Sequence, residues 1–171
     1  MEEKKKNLFK EIIPYLIIIL VVVLIRSFII TPVKVDGESM LPTLADNEIL
    51  ILKKYDHKFK RFDIVVFDYN NNRLIKRIIG LPGDYVEYKN DKLYINGKRI
   101  KESFVRNSKT KDFKLEDIEL DKISQGCYFV MGDNRGNSTD SRIIGEVCEN
   151  EIKGSTNLSI YPFNKIGKIN K

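Results

Sequence analysis

Histidine is almost missing from this chain, with His57 the single one among 171 residues. A metal centre built from several histidines is therefore excluded, and a serine–histidine pair would have only this residue to use. His57 sits in the run Lys53-Lys54-Tyr55-Asp56-His57-Lys58 and reads as a solvated loop residue. Cysteine is nearly as scarce. Cys127 and Cys148 are too few for a disulfide framework and lack metal-ligand spacing, so two separate, half-buried thiols are the expectation. There is no internal repeat and no low-complexity tract. The net charge of +6, from 30 basic and 24 acidic residues, is scattered along the chain. No basic helix or aromatic stacking platform accompanies it, which argues against a nucleic-acid partner.

One long apolar run is present. Residues 12–30 are interrupted only by Pro14, Arg26 and Ser27, with an unbroken apolar core over 15–25. A helix rises about 1.5 Å per residue, so this stretch spans roughly 28 Å, close to the hydrocarbon thickness of a bilayer. Pro14 is tolerable near a helix start, and Arg26 can snorkel from the far end. A cleavable signal would need small residues after the apolar region, but Ser27-Phe28-Ile29-Ile30-Thr31-Pro32 is bulky there. The stretch reads as an uncleaved transmembrane anchor in a lipid bilayer. Lys4, Lys5, Lys6 and Lys10 precede it, against only Arg26 and Lys34 at or just beyond its far end. That bias makes 1–11 a cytoplasmic segment and 31–171 an extracytoplasmic domain of a single-pass cell-membrane protein.

The remainder reads as strands. Residues 49–53, 63–69, 73–79 and 127–131 are short β-branched or aromatic runs bounded by turn residues. Residues 85–88 and 92–95 flank Lys89-Asn90-Asp91 as a hairpin, and Asn96-Gly97 turns the chain into 98–100. Residues 115–123 suit a short helix, and 107–122 is expected to be the most irregular and mobile part. The fold class is an all-β domain behind one N-terminal transmembrane helix.

Three segments carry chemistry. In Val35-Asp36-Gly37-Glu38-Ser39-Met40-Leu41-Pro42-Thr43-Leu44, a serine lies between a glycine and a proline. Such a turn can present a hydroxyl and a backbone N–H together, as acyl transfer requires. With no well-placed histidine, its base would be a lysine made neutral by burial. Lys76 lies in Leu74-Ile75-Lys76-Arg77-Ile78-Ile79 and shares a strand face with Leu74 and Ile78. Residues 132–142, Gly-Asp-Asn-Arg-Gly-Asn-Ser-Thr-Asp-Ser-Arg, are almost wholly polar and turn-forming. They read as a rigid scaffold for a site.

Taken together, these segments resemble the type I signal peptidases, membrane-bound Ser–Lys proteases, in their compact Gram-positive form. The Ser39 segment resembles that family's nucleophile box. Asp63-Ile64-Val65-Val66-Phe67 resembles its second box, with Phe62 where a glycine often stands. Residues 76–84 resemble its lysine box and 132–142 its last box. The resemblance implies a serine endopeptidase (a hydrolase) that removes signal peptides from exported preproteins after small residues. It implies Ser39 as nucleophile and Lys76 as general base, with Ser138 orienting the Lys76 amine. Asp140 with Arg142, and Asp133 with Arg77, would be bracing ion pairs. Val33, Val35, Met40, Leu44, Leu74 and Ile75 would line shallow substrate pockets, and the substrate would add as a strand between 30–35 and 73–76. Gly37 stands where some members use a serine as second oxyanion donor. No metal or cofactor is expected. Two alternatives share features with this reading. A pilin-processing enzyme or pilus-assembly chaperone of similar sequence is one, against whose chaperone form the presence of both Ser39 and Lys76 argues. An SOS-repressor-type autoprotease is the other, against which the apolar span argues.

Overall fold

The computed structural model describes residues 2–55, 58–105 and 108–169, with side chains of the first helix placed from Lys10 onward. His57 lies outside the described residues. Helix α1, Glu2–Phe28, runs unbroken through the lysine-rich start into the apolar stretch. Pro14 therefore sits well inside the helix rather than near its beginning, where it removes one backbone hydrogen bond. The stretch Lys10–Phe28 is long and apolar enough to cross a membrane, and none of it is buried against the rest of the protein. Ile30, read from sequence as the end of the span, is instead the first residue of a strand.

The strands are β1 Ile30–Lys34, β2 Ile49–Lys53, β3 Ile64–Tyr69, β4 Asn72–Gly80, β5 Val86–Lys89, β6 Lys92–Ile95, β7 Lys98–Ile100, β8 Phe113–Lys114, β9 Cys127–Met131, β10 Val147–Cys148, β11 Ile152–Tyr161 and β12 Gly167–Lys168. A short helix, α2 Ser141–Ile144, precedes β10. The larger sheet has the order β1-β2-β11-β3-β4-β9-β10, with β12 added to β11, and the smaller is β7-β6-β5-β8. Hairpin turns set much of this. Asn70-Asn71, Asn90-Asp91 and Asn96-Gly97 all take positive φ at both positions, the backbone twist that suits two-residue hairpins.

The core divides by sheet face. Val33, Val35, Met40, Leu44, Leu50, Ile64, Val66 and Ile75 pack together on one side of the large sheet. Val65, Phe67, Ile78 and Val130 pack on the other, with Leu74 at the margin. The small sheet closes a third cluster around Tyr88, Leu93, Phe113, Leu115, Ile123 and Phe129. Leu115 and Ile123 were expected on one short helix. The chain there makes only a 3-10 turn, Leu115–Ile118, and Glu119 at φ 62 ends it.

Two further features depart from the sequence reading. Cys127 and Cys148 form a disulfide rather than two free thiols. Strand β10 returns along β9 and sets these two residues opposite each other, a pairing that their separation in sequence does not reveal. Second, the longest strand, β11, was not anticipated. Its sequence, IKGSTNLSIY, lacks a clean alternation of apolar residues, yet Gly154, Ser155, Thr156 and Ser159 are all buried. It lies between β2 and β3, so its backbone pairs on both sides. Gly154 has φ 147, and a Cβ there would stand 2.1 Å from the Lys53 carbonyl oxygen. Gly154→Ala should therefore cost on the order of 3 kcal/mol, read as a thermal midpoint lowered by roughly 5–10 °C. Gly136→Ala, where nothing lies within 4 Å of the new carbon, should leave the midpoint nearly unchanged. Equal midpoints for the two variants would show that the close approach of β11 to Lys53 does not constrain the fold.

Candidate active site

The site forms where β4 meets the turn after β1. In β4, Lys76 lies directly opposite Val65 of β3 and is 2% exposed. Its neighbours on the same strand face, Leu74 and Ile78, belong to the apolar cluster around Val65 and Phe67. Water is thereby kept from the amine. Burial lowers the Lys76 pKa from 10.5 to about 8, with the charges of Asp140 and Asp133 pulling the other way. The Lys76 amine and the Ser39 hydroxyl share a hydrogen bond, Nζ to Oγ, of 2.6 Å.

Ser39 is held by the turn that carries it. Gly37 takes φ 88, and its N–H donates to Asp46 Oδ1 at 2.8 Å. Met40 and Leu44 anchor the far side of the turn in the core, with the Leu44 N–H donating to the Met40 carbonyl at 2.9 Å. An alkyl anchor on one side and a polar tie on the other fix the hydroxyl between them.

The loop over residues 132–142 closes the site. Asp133 accepts from Arg77 Nε at 2.9 Å and from Nη2 at 2.7 Å, a bidentate pair with both side chains fully buried. The same guanidinium donates to the Phe62 carbonyl at 2.9 Å and lies 4.0 Å from the Phe104 ring centroid. Phe62, where a glycine was expected, adopts φ 71. Its ring packs edge-on to Phe104, 5.1 Å between centroids, which helps offset that unfavourable backbone. Asp140 accepts from Arg142 Nε and Nη2, each at 2.8 Å, and from the Gly132 N–H at 3.0 Å. It also caps α2.

Ser138 is placed differently from its expected role. Its hydroxyl is buried and has no hydrogen-bond partner, so it does not hold the Lys76 amine in this structure. It stands against Gly132 instead. A Cβ on Gly132 would meet Ser138 Oγ at 2.3 Å and the Ser39 carbonyl at 2.4 Å, so the loop and the Ser39 turn touch through a position that only glycine fits.

Of the expected pocket residues, Val33, Val35, Met40, Leu44 and Ile75 share one buried cluster. Leu74 is half-buried and lies on the opposite face. A groove runs beside them, lined by Pro32, Val33, Lys34, Asn72, Arg73 and Leu74. Its walls are strand edges. Among the described residues, strand β1 pairs only with β2, and β4 pairs with β9 only from Arg77 onward.

Sequence reading missed a second buried ion pair. Arg135 is 3% exposed; it pairs with Glu102 and donates to Tyr88 Oη at 2.8 Å, Thr110 Oγ1 at 3.1 Å and the Gly132 carbonyl at 3.1 Å. Arg135 stood in the polar loop, but nothing around Lys101-Glu102-Ser103 signalled its partner. Cys127, Glu146 and Cys148 bring three potential ligand atoms within 4.8 Å. The two sulfurs are bonded to each other and so offer no thiolate.

An amine of lowered pKa on a serine hydroxyl, beside an open strand edge, can perform acyl transfer on an extended peptide. Known proteins give the same direction. The chain is 42% identical to signal peptidase I S of Bacillus subtilis strain 168, over 98% of this chain and 96% of that protein. It is 44% identical to a signal peptidase I of Bacillus amyloliquefaciens, over 90% and 88%. The solved signal peptidase I of Enterococcus faecalis V583 is 41% identical, with a TM-score of 0.54 over 57% of this chain and 96% of that one. With residues 8–161 matching the family described as signal peptidase, peptidase S26, the chain belongs to that family.

Proposed function

We propose that this protein hydrolyses the bond joining a signal peptide to an exported protein, with Ser39 as nucleophile and Lys76 as general base. The 2.6 Å contact between their side chains carries the reading. The neutral amine takes the Ser39 proton as Oγ attacks the scissile carbonyl carbon. The resulting ammonium returns that proton to the departing amine, leaving the signal peptide as an ester on Ser39. Lys76 then takes a proton from a water whose oxygen attacks the ester and passes it to Ser39 Oγ as the ester bond breaks. The signal peptide leaves with a new carboxylate end and the pair is restored. The Ser39 N–H donates to the negative oxygen in both steps. The relatives named above are signal peptidases I, which favours this reading over a pilus chaperone or an autoprotease.

The groove between β1 and the first half of β4 would take the substrate as an added strand, its small side chains directed toward the cluster of Val33, Val35, Met40, Leu44 and Ile75, while Leu74 faces the opposite side. Helix α1 would anchor the enzyme in the bilayer, N-terminus in the cytoplasm. Only Ile29 separates the helix from β1, so the site would stay near the membrane from which preproteins emerge.

Three measurements test this. Ser39→Ala should lower cleavage of a signal-peptide substrate by several orders of magnitude, and so should Lys76→Arg, because a guanidinium keeps its proton. The double variant should be little worse, since the pair acts as a unit; substantial cleavage by Lys76→Arg would show that another group takes the proton.

Activity should also fall as pH drops through about 8, where Lys76 gains its proton, and level off above. The linkage to stability has a definite sign. The unfolded lysine keeps its proton up to about 10.5, whereas the folded one releases it above about 8. Its burial therefore weighs fully against the fold below about 8, and this cost fades as pH climbs toward 10.5. Leu74→Asp should move the acid limb upward relative to Leu74→Asn, because the added carboxylate favours the ammonium. A wild-type limb near 10, or one unmoved by the carboxylate, refutes the desolvated base.

The topology follows from the lysine bias. In intact cells, protease supplied outside should digest the β domain while a tag at Met1 stays protected. A protected β domain would reverse the orientation.

A further inference from the structure

The peptide groups on both sides of Ser39 are held by one residue of the distant loop. Asn134 Nδ2 donates to the Glu38 carbonyl at 3.2 Å, and the Asn134 N–H donates to the Ser39 carbonyl at 3.0 Å. Within the turn, the Leu41 N–H also donates to the Glu38 carbonyl, at 3.1 Å. Among the described residues no other side chain donates to either oxygen. The Glu38–Ser39 bond is trans, so its C=O and N–H point in opposite directions. Fixing the carbonyl toward Asn134 therefore aims the Ser39 N–H away from the loop. That N–H has no acceptor among the described residues, so it is left to meet an incoming oxygen.

Asn134 is fixed in its turn. Its carbonyl accepts from the Asn137 N–H at 3.0 Å. The next residue, Arg135, ties its own N–H to Ser108 Oγ at 2.8 Å and its buried guanidinium to the Gly132 carbonyl. The peptide it clamps has need of support. Gly37, two residues before Ser39, has no side chain, and nothing lies within 4 Å of where a Cβ would stand.

The geometry points to Asn134 as a positioning residue that sets the direction of the Ser39 peptide N–H, and so the strength of the oxyanion site. It acts through the Glu38–Ser39 peptide and touches neither the substrate nor the reacting atoms. The inference rests on Ser39 being the nucleophile. Negative charge on the acyl oxygen appears only as the tetrahedral intermediate forms, so a misdirected donor weakens the transition state more than the bound substrate.

The test uses the full chain in detergent and a peptide substrate with alanine at the first and third positions before the cleaved bond. Asn134→Ala removes the side-chain donor and keeps the backbone one; Asn134→Asp keeps the shape and replaces the donor with an acceptor. Both should lower kcat by about ten- to a hundredfold, with KM changed less than about threefold. In Asn134→Ala the acid limb of the pH profile should stay where it is in the wild type, because no contact of Lys76 is altered and no charge is added. Thermal midpoints report folding, and if Asn134→Ala unfolds, the isosteric Asn134→Asp decides. Wild-type kcat in a folded variant overturns the inference, as does a loss confined to KM or an acid limb shifted in Asn134→Ala. Ser39→Ala, assayed alongside, separates the two claims. An active Ser39→Ala defeats the mechanism itself, whereas a dead Ser39→Ala beside a fully active Asn134→Asp defeats only the clamp.

Discussion

An amine gives up its proton near neutral pH only where its surroundings disfavour the ammonium, and around Lys76 burial away from water does so. Lys76 lies near the centre of β4, which pairs with β3 from Asn72 to Arg77 and with β9 from Arg77 onward, and apolar clusters pack on both faces. Carboxylates nearby would undo the effect by stabilising the ammonium. Asp133 and Asp140 do lie close enough to raise the Lys76 pKa, yet burial outweighs them. Each is also occupied by an arginine, Arg77 and Arg142 respectively. The loop thus brings rigidity from ion pairs while most of their negative charge is answered locally.

That rigidity has a steric side. Gly132 lets the loop lie against the Ser39 carbonyl and Ser138 at distances no side chain would permit. Arg135 carries the same bracing outward, through Glu102, Tyr88 and Thr110, to the smaller sheet. The smaller sheet is in this way tied by buried hydrogen bonds to the loop that packs against the Ser39 turn.

The sequence was legible where local rules govern. Asparagine-rich turns, short β-branched runs and a long apolar stretch announced the hairpins, most strands and α1. Ser39 and Lys76 stood out only weakly by themselves, as a serine between Gly37 and Pro42 and a lysine among aliphatics, and were singled out by the resemblance of several segments together to one family. Strand β11 was not legible, because its buried residues are small and polar and its place depends on partners about a hundred residues away. The bridge between Cys127 and Cys148 depends on the same kind of distant pairing, as does the partnership of Arg135 with Glu102. Ser138 shows the limit of carrying a role across by motif. Its position in the chain suggested a hydrogen bond to Lys76, and the fold leaves its hydroxyl unpartnered.

The Cys127–Cys148 bridge joins the strand that enters the 132–142 loop to the strand that leaves it. Everything between them, including Asp133, Asn134, Ser138, Asp140 and Arg142, sits on a covalent ring. Closing a ring of this size removes about 3 kcal/mol of freedom from the unfolded chain in the chain-entropy view. It also changes what a single cut can do. Surface loops are where proteolytic nicks fall. A break at the exposed residues 136 or 137 would leave both ends of this loop attached to the same body, so the two halves of the scaffold would stay within reach of each other.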